Sequence, residues 1–167
     1  MKKPKKSRSK SQLNSPPPRN ATAYNEQGIE WGKQGHFAQA ATCFQHALAL
    51  NPHYVDAHNN LGVVLKHQNQ LDEAIACYRQ ALALAPTYAH AHYNLGIALK
   101  DKKQFAEAAT CFRLALTLNP NLVEAYLNLG NILNELEQLE EAIICYQRAL
   151  ALKPDYLEVH INLGSAR

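Results

Sequence analysis

Residues 55–88 read VDAHNNLGVVLKHQNQLDEAIACYRQALALAPTY, and residues 89–122 read AHAHYNLGIALKDKKQFAEAATCFRLALTLNPNL. Laid over one another, the two stretches agree at Asn60/Asn94, Leu61/Leu95, Gly62/Gly96, Ala74/Ala108, Cys77/Cys111, Ala81/Ala115 and Pro86/Pro120, each pair 34 residues apart. Asn-Leu-Gly returns with the same step at 128–130 and 162–164. A fixed period of this size is the mark of one supersecondary unit stacked several times, each copy burying its apolar face against the next. The units fall at 21–54, 55–88, 89–122 and 123–156, with a partial unit at 157–167.

Each unit reads as two helices, in the second unit over about 55–68 and 71–84. On the latter, Leu71, Ala74, Ile75, Tyr78, Ala81 and Leu82 lie on one stripe of a 3.6-residue period. Cys77, Ala81 and Leu84 make a second apolar edge, so the helix expects two packing partners. Gly28, Gly62, Gly96, Gly130 and Gly164 fall within the first helices, where glycine costs about 1 kcal/mol against alanine. Close approach of two helices explains that cost, with Ala40, Ala74, Ala108 and Ala142 as the expected small counterparts. Pro52, Pro86, Pro120 and Pro154 close each unit, because proline disfavours helix at the residue before it.

The phased residues resemble the tetratricopeptide signature W-x-x-L-G-x-x-Y…A-x-x-x-F…P. The second unit supplies His58, Leu61, Gly62, Leu65, Ala74, Tyr78, Ala81 and Pro86; the third His92, Leu95, Gly96, Leu99, Ala108, Phe112, Ala115 and Pro120. The fourth supplies Tyr126, Leu129, Gly130, Leu133, Ala142, Tyr146, Ala149 and Pro154, and the first a looser Tyr24, Gln27, Gly28, Trp31, Ala40, Phe44, Ala47 and Pro52. The resemblance covers residues 21–167. It implies an all-α fold, a right-handed superhelical α-solenoid of antiparallel helix pairs.

The resemblance also implies that the first helices line a concave groove, and that the residue before each Leu-Gly pair points into it. Those residues are Asn60, Asn94, Asn128 and Asn162, with Glu26 in the first unit. An amide offers a donor and an acceptor, so it can pair with peptide main chain irrespective of sequence. Units roughly 10 Å apart match about three extended residues at roughly 3.3 Å each. The ladder resembles those of the repeat domain of O-linked N-acetylglucosamine transferase and of bacterial repeat proteins. The leading expectation is therefore a non-catalytic scaffold that binds an extended protein segment. The alternative is a substrate-recruiting fragment of a larger enzyme such as a glycosyltransferase. A carboxylate clamp is not expected, since Asn25, Asn59, Tyr93 and Leu127 at the relevant face bring no basic pair.

Other features bound the function. Of 17 Lys+Arg, seven lie in residues 1–20, which hold no acid; the other ten face 14 Asp+Glu, a net of −4. The net charge of +3 thus belongs to the tail and not to the repeats. Residues 1–20, rich in Lys, Ser and Pro, read as a disordered basic tail. A solubilising role is preferred there over a nucleic-acid or anionic-surface partner. No apolar run is long enough for a transmembrane segment, and a cytoplasmic location is expected. Cys43, Cys77, Cys111 and Cys145 sit one period apart, too far for disulfides, and read as small buried residues. His58, His92 and His160 share an aromatic slot and read as packing residues rather than ligands. No catalytic constellation, metal site or cofactor motif emerges. Leu157, Ile161 and Leu163 are expected to cover the fourth unit, and the uncapped end offers a surface for self-association.

Overall fold

The computed structural model describes residues 20–166; the expected tail, apart from Asn20, lies outside the described residues. Nine helices and no strand are present among them: α1 (Ala21–Lys33), α2 (Phe37–Leu50), α3 (Val55–His67), α4 (Leu71–Leu84), α5 (Ala89–Asp101), α6 (Phe105–Leu118), α7 (Val123–Glu135), α8 (Leu139–Leu152) and α9 (Leu157–Ser165). Asn20 opens α1 as its N-cap, its side-chain oxygen accepting from the Ala23 N–H at 2.8 Å. The other eight helices have no side-chain N-cap bond. Helices of 13 or 14 residues are marginal alone, so burial of their apolar faces holds them.

The turn inside each unit follows one design. Gly35, Asn69, Lys103 and Glu137 adopt positive φ of 79°, 61°, 61° and 59°. The next N–H reaches back five residues to a carbonyl: His36 to Trp31, Gln70 to Leu65, Gln104 to Leu99 and Gln138 to Leu133, at 2.8–2.9 Å. This is a Schellman closure, which satisfies carbonyls left open at a helix end. Three of the four left-handed positions carry side chains, and the sequence reading did not detect them.

The glycine of each first helix makes room for the aromatic of the second. A Cβ on Gly28 would lie 2.6 Å from Phe44, on Gly62 2.6 Å from Tyr78, on Gly96 2.8 Å from Phe112 and on Gly130 2.5 Å from Tyr146. The small residues expected opposite the glycines, Ala40, Ala74, Ala108 and Ala142, are fully buried, but the crowding comes from the rings. Gly164, with no following helix described, meets nothing within 4 Å.

Each helix packs on the next along the chain, within units and between them. The odd helices α1, α3, α5 and α7 also touch in succession, whereas no comparable contact joins successive even helices. Long side chains bridge the even helices instead: Arg79 to Glu107 at 3.2 Å and Arg113 to Glu141 at 2.9 Å, all four exposed. The stack is therefore tighter along the odd helices, which places them on its inner wall. At the far end, Val159 and Leu163 are buried, but Leu157 and Ile161 are 70% and 59% exposed. Of the three residues expected to cover the fourth unit, only Leu163 does so; Val159 takes the place of the other two.

Candidate functional site: the inner wall

The four ladder asparagines lie on α3, α5, α7 and α9, and all are half-buried. Their amides are tied into the stack. Asn60 Nδ2 donates to Asn25 Oδ1 at 3.1 Å, Asn94 Nδ2 to Asn59 Oδ1 at 2.9 Å, and Asn162 Nδ2 to Asn131 Oδ1 at 2.8 Å. Asn128 differs: its Nδ2 donates to the Glu124 carbonyl at 2.8 Å, and its Oδ1 accepts from Lys100 Nζ at 2.7 Å. The row thus serves cohesion between units. Each amide uses one N–H in these bonds and keeps a second. The carbonyl oxygens of Asn60, Asn94 and Asn162 have no hydrogen-bond partner among the described residues.

Asn25 and Asn59, read from sequence as groove residues, are 5% and 6% exposed. They are buried acceptors for the next unit's ladder residue. A buried amide left unpaired costs about 1–3 kcal/mol, so the pairing explains how Asn25 and Asn59 are accommodated there, where Tyr93 and Leu127 stand in the next two units.

Two hollows open on this wall. One, of about 200 Å³, lies between α1 and α3 and is lined by Gly28, Ile29, Gly32, Phe37, Phe44, Asn60, Val63, Val64 and His67. The other, of about 370 Å³, lies between α7 and α9 and is lined by Asn131, Asn134, Glu135, Tyr146, Glu158, Asn162 and Ser165. They are repeat-equivalent: Ile29 corresponds to Asn131, Gly32 to Asn134, Phe44 to Tyr146, Asn60 to Asn162 and Val63 to Ser165. At the polar end the Tyr146 hydroxyl donates to Asn131 Oδ1 at 2.9 Å, and burial pushes the phenol pKa up to about 12. In the second unit the equivalent Tyr78 hydroxyl is buried without a partner, since Val63 stands where Asn131 stands later.

In the two middle units lysines occupy the place held by Gly32 and Asn134. Lys100 reaches Asn128, and Lys66 Nζ lies 3.9 Å from Asp101 Oδ2.

The histidines have a task the sequence reading missed. The Nε2–H of His58, His92 and His160 donates to the carbonyl of Pro52, Pro86 and Pro154 at 2.8–2.9 Å. Each ring pins the turn between two units. The signal was a histidine six residues after the closing proline, present in three units and replaced by Tyr126 after Pro120. All four cysteines are free, three buried and Cys77 half-buried. Burial first of all pushes the thiols of Cys77, Cys111 and Cys145 up to about 11, and raises that of Cys43. At neutral pH they are protonated, apolar spacers rather than nucleophiles. Among the described residues no His, Cys, Asp or Glu group of three or more could hold a metal ion. No helix among them is long and apolar enough to cross a membrane.

Family models described as Tetratricopeptide repeat match residues 25–89, 65–123 and 111–144, and one described as TPR repeat matches residues 130–167. The chain belongs to the tetratricopeptide repeat family. No curated protein matches it. Among solved structures it is similar to the MamA protein, with 25% identity and a TM-score of 0.81 over 87% of this chain and 80% of that one. It is also similar to PilF of Pseudomonas aeruginosa, with 26% identity and a TM-score of 0.80 over 87% of this chain and 67% of that one. A third likeness, to YrrB, has 22% identity and a TM-score of 0.78 over 88% and 76% of the two chains. That structure is described as a TPR protein with an unusual peptide-binding site.

Proposed function

We propose that this chain is a non-catalytic interaction scaffold whose inner wall holds an extended segment of a partner protein. The contacts assigned are to the main chain of that segment, through Asn60, Asn94, Asn128 and Asn162. The observation that carries the reading is the state of the ladder amides. Their bonds to Asn25, Asn59 and Asn131 fix three of the four side chains, while a carbonyl oxygen and one N–H of each remain for a ligand. Side chains held in place before binding lose little entropy when the ligand arrives. The peptide-binding site named for YrrB is consistent with this use of the fold. Four unpaired, protonated thiols suit a reducing compartment, so we assign a cytoplasmic location.

Neutral hydrogen bonds contribute about 0.5–1.5 kcal/mol each, and an extended peptide must be ordered, so affinity near micromolar is expected. The test is Asn128→Ala, because Asn128 alone in the row is not bonded to another asparagine. Titration of labelled extended peptides should show weaker binding by the variant, about fivefold, with an unchanged thermal midpoint. Unchanged affinity would remove the row from the binding surface.

A further inference from the structure

The two hollows occupy equivalent places three units apart, so one extended segment lying along the wall passes both. Their chemistry is opposite. At the α1/α3 end Ile29, Phe44 and Val63 offer an apolar wall. At the α7/α9 end Asn131, Asn134 and Ser165 offer hydrogen-bonding groups, with Glu135 and Glu158 at the edge. Both glutamates are exposed, and neither has an ion-pair partner within 4.0 Å among the described residues. The part of the chain that carries this hollow is acidic overall: residues 123–166 hold seven Asp+Glu against Arg148 and Lys153, whereas 20–122 hold seven of each sign.

The middle of the wall is built differently. Lys66 and Lys100 cover the equivalent places, the first beside Asp101 and the second on Asn128. A side chain of the ligand finds room at the two ends, where Gly32 and Asn134 are too short to fill the space. A basic side chain opposite Lys100 would meet like charge, which disfavours it.

Resting on the groove reading above, we infer that the preferred occupant is an extended segment of a partner protein with two anchors. A bulky aliphatic side chain enters the α1/α3 hollow, and an arginine or lysine enters the α7/α9 hollow between Glu135 and Glu158. Three units at about 10 Å set the anchors about nine extended residues apart. The residues between them carry no base. The ladder supplies affinity without regard to sequence, and the two hollows supply selection. This chain's own basic residues 1–19 are a competing occupant, and the test includes them.

The probes are fluorescein-labelled peptides with one leucine and one arginine about nine residues apart on a Ser/Thr/Gly background. Both orders are made, together with versions in which Leu becomes Ser or Arg becomes Gln. Anisotropy titrations use the full chain, a version lacking residues 1–19, Glu135→Gln/Glu158→Gln and Ile29→Asn/Val63→Ser, each checked for folding by circular dichroism. One order of the two-anchor peptide should bind about tenfold tighter than either single-anchor version. The glutamate variant should erase the preference for Arg and leave that for Leu, and the Ile29/Val63 variant should do the converse. High salt should weaken only the arginine contribution. Equal binding of all peptides, or preferences unmoved by the variants, would overturn the two-anchor assignment. If such equal binding still falls in Asn128→Ala, the groove reading stands and this inference alone is lost. No binding by any peptide removes both. Tighter binding only after residues 1–19 are deleted, with the anchor preferences absent, would assign the α7/α9 hollow to the tail instead.

Discussion

The first and last hollows of the inner wall share a backbone and differ in nearly every side chain. Phe44 and Tyr146 fill the same slot, and Asn60 and Asn162 stand at the same rung. Yet Ile29 and Val63 at one end become Asn131 and Ser165 at the other. The contrast separates two kinds of position. Those that let helices pack are held constant in the four full units: the glycine under an aromatic ring and the fully buried alanines. The positions that line the hollows beside the ladder vary, because packing constrains them less.

The widest test of this division is the glycines. Gly28→Ala and Gly130→Ala, at opposite ends, should each destabilise by about 1–3 kcal/mol, because a methyl would overlap a buried ring, 2.6 Å from Phe44 and 2.5 Å from Tyr146. Gly164→Ala should instead gain up to about 1 kcal/mol, as alanine favours helix and the methyl meets nothing. Urea unfolding gives all three values. A large inequality between the first two would break the claim of a shared scaffold.

The ladder gives the next contrast. Asn94→Ala strips the buried Asn59 oxygen of its donor and should cost about 1–3 kcal/mol. Asn128→Ala removes only a bond to its own helix and one to a lysine, and should change stability by less than about 0.5 kcal/mol. Equal thermal midpoints for the two would deny the stapling role of Asn25 and Asn59.

Tyr78 and Tyr146 sharpen the comparison at a single atom. Tyr146→Phe should cost about 1 kcal/mol, since the hydroxyl donates to Asn131. Tyr78→Phe should be neutral or stabilising by a similar amount, because its buried hydroxyl has no partner. Val63→Asn, which transplants the later acceptor, should make Tyr78→Phe costly. A double-mutant cycle reads that coupling, and zero coupling would mean the transplanted amide does not reach the hydroxyl.

How much of this was legible in the sequence follows the same division. The 34-residue step, the paired helices and the burial of Cys43, Cys111 and Cys145, though not the half-buried Cys77, could be read because packing forces identical residues into identical places. The ladder could be placed on the first helices, but its bonds to Asn25, Asn59 and Asn131 could not. Those depend on the register of one unit against the next, which no single unit encodes. Asn25 and Asn59 were placed in the groove because a one-residue step around a helix, about 100°, decides between the inner wall and the interface. The hollows were illegible for a related reason: each is made by residues from two units and by a side chain too short to fill it.

The turns show the division in its mildest form. Gly35 and Glu137 occupy the same left-handed position at opposite ends, with φ of 79° and 59°. A side chain there costs about 1–2 kcal/mol, while glycine gives back about 0.5–1 kcal/mol through its freer unfolded chain. Glu137→Gly should therefore stabilise by about 0.5–1 kcal/mol net, and Lys103→Gly by the same. Gly35→Ala should lose a like amount, and Asn69→Gly should gain least, because asparagine already tolerates this conformation. All four sites lie at the turn, clear of the ladder rungs, so peptide affinity should not move with stability. Affinity that tracked these changes would mean that the groove transmits the state of its turns, and the boundary between packing positions and recognition positions would have to be redrawn.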